Sequence, residues 1–260
     1  MDWFVRDFDH PAYFEIYAYK EREAEKEGPA LAAYLDVPPN SLVLDMPCGW
    51  GRLHPYWMLS GWKHVGGDLS PRNLAIHAAK HPSDLVRLDL RHLPFRDSIA
   101  DAVMCAFTSW GYFLDEADNL RQLEEYARIL KPGAPLLLDL AGRHNLENLL
   151  ALLEGFWYNI EEGDHKERAR WTQDKKRILT DRIKNGHRFR HNIWIPTDDE
   201  IRAALAQAGF EVESRWGGLD GEPWSNMSER WIYRAVCKKI QKVSAPKATR
   251  LYQNAKGIFF

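Results

Sequence analysis

Asp45, Asp68 and Asp89, together with the glycines at 49 and 51, are the residues of this chain best placed to do chemistry. Asp45 ends the apolar run Leu42-Val43-Leu44 and is followed by the small-residue loop Met46-Pro47-Cys48-Gly49-Trp50-Gly51-Arg52. A short apolar run reads as a buried strand. Glycine lets the backbone behind it turn sharply and approach a ligand without a Cβ in the way. The helix expected after the loop would turn its N-terminal N–H groups toward a carboxylate or phosphate. Pro47 stands where the first glycine of a dinucleotide fingerprint would be, and no third glycine follows, which argues against a pyrophosphate. Asp45 can fix the loop or reach a ligand ammonium. Asp68 ends the second expected strand, Lys63–Asp68, and can accept hydrogen bonds from both hydroxyls of a ribose. Asp89, after a third run, can accept from the exocyclic amine of adenine, with Leu69 and Leu90 placed to sandwich the ring.

The elements that must position these residues alternate. Strands are expected at 42–45, 63–68, 85–89, 99–107 and 135–140. Helices are expected at 51–60, 70–81 and 117–130, the second capped by Ser70 and opened by Pro71. Strands alternating with helices imply a parallel, doubly wound sheet. The pattern changes beyond the fifth strand. Residues 177–183 and 187–195 read as strands joined by Asn185-Gly186, a hairpin signal. Thr197-Asp198-Asp199-Glu200 is a capping box that opens a helix ending at Gly209, and strands follow at 210–216 and 231–238. A β-rich insertion at about 141–195 therefore interrupts the core.

The ordered motifs resemble the class I S-adenosylmethionine-dependent methyltransferases, and among them the small-molecule branch. The likeness rests on Asp45-x-x-Cys48-Gly49-x-Gly51-Arg52, then Gly67-Asp68-Leu69-Ser70, then Asp89-x-x-x-Leu93-Pro94-Phe95, then Leu130-Lys131-Pro132-Gly133. It covers roughly residues 38–140. The resemblance implies an α/β, doubly wound, Rossmann-like seven-stranded sheet with its last strand antiparallel, and S-adenosylmethionine as cofactor. It implies contacts to that cofactor from Asp45, Pro47, Cys48, Gly49, Gly51, Arg52, Asp68, Leu69, Asp89 and Leu90. The segment 107–113 resembles the stretch that faces both sulfonium and acceptor, so Phe107 and Trp110 join the expected cofactor set, with Trp110 offering a π face to the positive sulfur. Residues 1–40 resemble an aromatic lid segment. Its Tyr13 and Tyr17 lie one helical turn apart, and Tyr17 is expected to cover the cofactor. The methyltransferase domain is then 41–240, with a basic tail at 241–260.

Methyl transfer to an activated carbon needs positioning and dryness, and a base only if the acceptor must lose a proton. The candidate bases are His144, after the fifth strand, and His187 or His191 in the hairpin. Arg188 and Arg190 alternate with Phe189 and His191, so one face of that strand is basic. Turned inward, it would suit an anionic acceptor; turned outward, it is a solvated edge. His144, His191 and Arg190 are the residues taken as catalytic candidates.

The net charge of −2 gives no general case for nucleic acid or acidic membranes. The scattered cysteines at 48, 105 and 237 suggest neither disulfides nor a zinc site and fit a cytoplasmic protein. No apolar run reaches the length of a membrane span. The sequence thus reads as a methyltransferase acting on a small-molecule O or N acceptor. The alternatives are an RNA or protein methyltransferase docking through its basic C-terminus, a non-catalytic cofactor-binding subunit, and a nicotinamide dehydrogenase. The apolar residues 257–260 could dock on the body or on a second copy, giving a homodimer.

Overall fold

The computed structural model describes residues 2–160 and 165–238. The N-terminal segment is helical throughout: α1 (Trp3–Phe8), α2 (Pro11–Tyr17) and α3 (Lys20–Leu35). There follow β1 (Leu42–Asp45), α4 (His54–Leu59), β2 (Lys63–Asp68), α5 (Pro71–Lys80), β3 (Asp84–Arg87), β4 (Ala102–Cys105), α6 (Glu116–Ile129) and β5 (Pro135–Ala141). The insertion holds α7 (Arg143–Leu153), β6 (Tyr158–Asn159), β7 (Lys166–Trp171), β8 (Arg177–Lys184) and β9 (His187–Trp194). The core closes with α8 (Asp198–Gln207), β10 (Phe210–Trp216) and β11 (Arg230–Cys237). The expected basic tail at 241–260 lies outside the described residues.

The main sheet runs β10-β11-β5-β4-β1-β2-β3, with β11 antiparallel to both its neighbours and the inner strands parallel. β5 is buried along nearly its whole length, which explains its unbroken apolar character. Strand order reverses between β1 and β4. Such a reversal leaves a crevice outside the carboxyl ends of those strands. The caps read from sequence hold: Ser70 accepts from the Asn73 amide, and Thr197 and Glu200 form the reciprocal box.

Local differences have local causes. The first helix begins at His54 rather than at 51, because Gly51 takes φ +78° and turns the chain before the helix can start. The fourth strand is shorter than expected. At one end Ile99 and Ala100 bond to the Ile129 carbonyl; at the other Phe107 and Thr108 both take positive φ. Asp89 sits past the end of β3, in an isolated bridge with His92. The insertion is not purely β, since α7 fills its first part. Beyond it, β6–β9 form a separate antiparallel four-stranded sheet, and Asn185 and Gly186 both take positive φ at its hairpin, as a type I′ turn requires.

Behind the glycine loop, four imidazoles pack together. His54 and His64 bring their Nδ1 atoms to 3.0 Å, and the His54 ring lies 5.0 Å from His77 and 5.2 Å from His81. A Cβ on Gly51 would collide with the His77 ring, so this glycine is required by packing. Among the described residues no His, Cys, Asp or Glu group is arranged to hold a metal ion, and no helix is long and apolar enough to cross a membrane.

Candidate active site

A cavity of about 230 Å³ opens at the carboxyl ends of β1 and β4. Its two ends differ in chemistry. One is built from the loop after β1 and from the turns after β2 and β3. The other is aromatic, roofed by Phe4 and Phe8 of α1 and Tyr13 and Tyr17 of α2.

At the loop end, Gly49 takes φ +55°, and no atom lies within 4 Å of the place a Cβ would occupy. Its amide donates to Asp68 Oδ2 at 2.9 Å, and the Ser70 amide donates to Oδ1 at 2.8 Å. Asp68 is only 6 % exposed. Burial pushes its carboxyl up to about 6, and the hydrogen bonds from Ser70 and Gly49 offset only part of that. No cation forms an ion pair with Asp68 among the described residues, so it meets the cavity with neutral donors alone. Asp89 differs. Burial would raise its carboxyl, but the Arg91 fork (2.7 Å at the shorter contact) outweighs burial and holds it below the usual range. Leu69 and Leu90 both line the cavity between these acids. Asp45 is buried beneath the loop, accepting from Trp57 Nε1 at 2.9 Å. Pro47 and Cys48 line the same wall, and burial, then the neighbouring acids, push the Cys48 thiol well up, keeping it neutral.

Arg52 also lines the cavity and is clasped by Glu27. Glu27 in turn accepts from Arg230 at 2.9 Å, and Arg230 forks onto Asp139 at 2.6 and 2.7 Å. Asp139 Oδ2 accepts the Phe107 amide at 2.8 Å, fixing the turn that carries Phe107 onto the cavity wall. Sequence reading missed this network. Its one local signal is an acid inside the apolar run Leu136-Leu137-Leu138-Asp139-Leu140.

The roof is tied on several sides. Trp3 Nε1 donates to the Tyr112 carbonyl at 3.2 Å, Asp7 accepts the Arg190 amide at 3.0 Å, and Asp9 accepts from Ser70 Oγ at 2.8 Å. Tyr13 and Tyr17 lie together, ring centroids 5.1 Å apart, as their spacing predicts. Burial raises both hydroxyls above their ordinary range, and that of Tyr112 as well.

His191 lines the aromatic end and is buried. The Arg182 guanidinium contacts its Nδ1. A guanidinium can only donate, so Nδ1 must present a lone pair and the proton of the neutral ring sits on Nε2. Burial, then the Arg182 charge, keep the ring neutral. His191 is therefore a hydrogen-bond donor, which corrects its expected role as a base. Nε2 has no hydrogen-bond partner among the described residues.

Five other candidate residues do not line the cavity. Trp110 is wholly buried in the core, its Nε1 bound to the Asn119 carbonyl at 2.8 Å and its ring packed on Trp194, so it offers no face to the cavity. Gly51 answers to His77 and does not line the cavity. His144 stands off the cavity on α7, half-exposed, 2.7 Å from Glu147. Arg190 points from the opposite face of β9, its side chain 58 % exposed and bound to Asp181 at 2.6 Å. His187 is exposed beside His10 and also lies off the cavity.

The Gly49 cradle, the uncompensated Asp68 and the paired Asp89 suit an adenosyl ligand with a hydroxyl pair and an exocyclic amine. Residues 44–138 match the model of the family described as "Methyltransferase domain". A "Probable tRNA methyltransferase 9B" from Mus musculus is 28% identical over 130 residues, 50% of this chain but 28% of that protein. The chain thus spans well under half the length of this curated relative. Among solved structures, the CcbJ methyltransferase from Streptomyces caelestis superposes with TM-score 0.71 at 17% identity, covering 82% of this chain and 89% of the other. An S-adenosylmethionine-dependent methyltransferase from Clostridium acetobutylicum gives 0.71 at 17% identity, covering 87% and 98%. Residues 44–138 thus match a methyltransferase domain model, and the sheet order and overall fold are those of solved methyltransferases.

Proposed function

We propose that this domain methylates a small molecule at an oxygen or nitrogen, with the cofactor at the loop end of the cavity and the acceptor under the aromatic roof. The observation that carries the reading is the cavity's division into these two ends. Bound there, S-adenosylmethionine would supply a methyl carbon already activated by its sulfonium. Gly49 gives the backbone a close approach to it, Asp68 accepts from the ribose hydroxyls, and Asp89 accepts from the adenine amine between Leu69 and Leu90. Asp45, Pro47, Cys48 and Arg52 form the wall beside the methionine portion, with Phe107 and Tyr17 closing the junction toward the acceptor.

The aromatic end favours a compact, largely apolar acceptor and excludes water from the transfer. Its tyrosine hydroxyls are held protonated, and His191 donates rather than accepts. The acceptor therefore brings its own lone pair, as a free amine or an oxygen already deprotonated in solution, and His191 can orient an oxygen of it. The test has two arms. Calorimetry should show saturable binding of S-adenosylhomocysteine and none of NAD. Methyl-labelled cofactor should then label small amines or acids from a metabolite panel. Absence of S-adenosylhomocysteine binding, or label passing only to RNA or protein, would overturn the proposal.

A further inference from the structure

The outer face of the accessory sheet carries a second concavity, of about 480 Å³, remote in chemistry from the first. Side chains alternate across a sheet, so His191 and Ile193 face the first cavity while Arg188 and Arg190 face the other way. On this outer face β7 adds Arg168 and Arg170, β8 adds Asp181, and α1 contributes Arg6 at the rim. Asp2 also lines the groove and Arg6 is paired with Asp7, yet the arginines still outnumber the acids in a chain whose net charge is −2, so the cluster is local and not compositional.

Asp181 organises it. This buried carboxylate accepts from Arg190 Nε at 2.6 Å, Arg168 Nε at 3.0 Å and Arg170 Nη1 at 3.3 Å. Burial would raise its carboxyl, but Arg190 and Arg168 outweigh that and hold it low, so it stays charged. One carboxylate cannot neutralise three guanidiniums, and each has five N–H groups. The bond to Arg190 takes only its Nε, leaving both terminal nitrogens for solvent or ligand. Arg168 also lies over the Trp157 ring, 4.8 Å from Cζ to the ring centre. Arg168 and Arg190 are thus held by Asp181 before any ligand arrives, with the exposed Arg188 beside them on the same face, an arrangement that suits the paired oxygens of a phosphate.

We propose that this groove is a binding site for the phosphate or diphosphate group of a small molecule, held chiefly by Arg168, Arg188 and Arg190. α1, Leu114 and Trp157 wall the groove, which bounds it to the size of a compact anion. The site is separate from the methyl-transfer cavity, so its failure would leave the proposed function standing.

The full chain should be titrated with inorganic phosphate and with pyrophosphate. The same titrations should be run on an Arg188→Gln/Arg190→Gln variant, with S-adenosylhomocysteine as a control on folding. Both arginines are solvent-facing, and Asp181 keeps Arg168 and Arg170 in the variant. The expected result is saturable pyrophosphate binding that weakens with salt and falls at least tenfold in the variant, with S-adenosylhomocysteine affinity unchanged. Three outcomes would overturn the assignment: no saturable binding of either probe, binding equal in both proteins, or binding confined to single-stranded RNA with affinity growing with its length.

Discussion

Asp68 and Asp139 are both acids of parallel strands, both nearly sealed from solvent at 6 % and 1 % exposure, and they live in opposite electrostatic settings. Asp139 receives the Arg230 fork and the Phe107 amide. Burial would raise its carboxyl, but Arg230 outweighs burial and keeps it below the ordinary range. Asp68 receives backbone amides from Gly49 and Ser70 and has no cationic partner among the described residues; burial wins, and its carboxyl rises to about 6. A buried acid with its counter-ion built in is a structural part. We propose that one left with neutral donors beside a cavity is a binding part, its desolvation to be offset by a ligand's hydroxyls.

The largest effect should come from the structural acid. Asp139→Asn leaves the Arg230 guanidinium buried against a neutral amide and should destabilise the fold by about 3–5 kcal/mol. Urea denaturation reads this, and a loss below about 1 kcal/mol would erase the distinction between the two acids. The next effect is one of pH. Asp68 binds its proton more tightly folded than unfolded, so its contribution is fully present below its ordinary 3.8 and is lost as pH rises through about 6. Asp139 has the opposite sign: its contribution is present above the unfolded value and lost as pH falls through the folded one. Relative to the unaltered protein, Asp68→Asn should therefore gain stability between pH 4 and 7, on the order of 2–3 kcal/mol. A gap that stays flat with pH would refute the raised carboxyl.

Third comes affinity. Asp68→Ala should weaken S-adenosylhomocysteine binding by roughly 1–3 kcal/mol with little cost in folding. Equal affinity in a folded variant would remove Asp68 from the site. Smallest is Gly49→Ala, which keeps the amide that faces Asp68 but forces an L side chain to φ +55°. It should cost about 1 kcal/mol of stability, with a further loss of cofactor affinity if the new methyl group enters the cradle. Stability and affinity both unchanged would mean that the loop relaxes freely.

What was legible in the sequence was local. The apolar run into Asp45, the glycine loop, the Ser70 cap and the Asn185-Gly186 hairpin each declare themselves within a few residues, because one strand end, cap or turn dictates them. Partnership across the fold was not legible. Asp139 meets Arg230 from 91 positions away, and Glu27 meets it from 203. The alternation of Arg188, Phe189, Arg190 and His191 showed two faces without saying which looked inward. His191 was a base candidate by residue type, and only Arg182 on the neighbouring strand makes it a donor. Trp110 could have faced a ligand until Asn119 and Trp194 enclosed it. The aromatic roof was expected, but Phe4 and Phe8 were not, since nothing in their order marks them apart from core.

The imidazole cluster behind Gly51 makes the molecule acid-sensitive beside its glycine loop. Burial first, then neighbouring rings, bring His54 down to about 4 from an ordinary 6.5; burial does the same for His77. The unfolded chain thus takes up protons before the folded one does, and stability drains away as pH drops from about 6.5 toward 4. Mild acidification would pry at the packing that seats Gly51 long before it protonates the carboxylates of a surface.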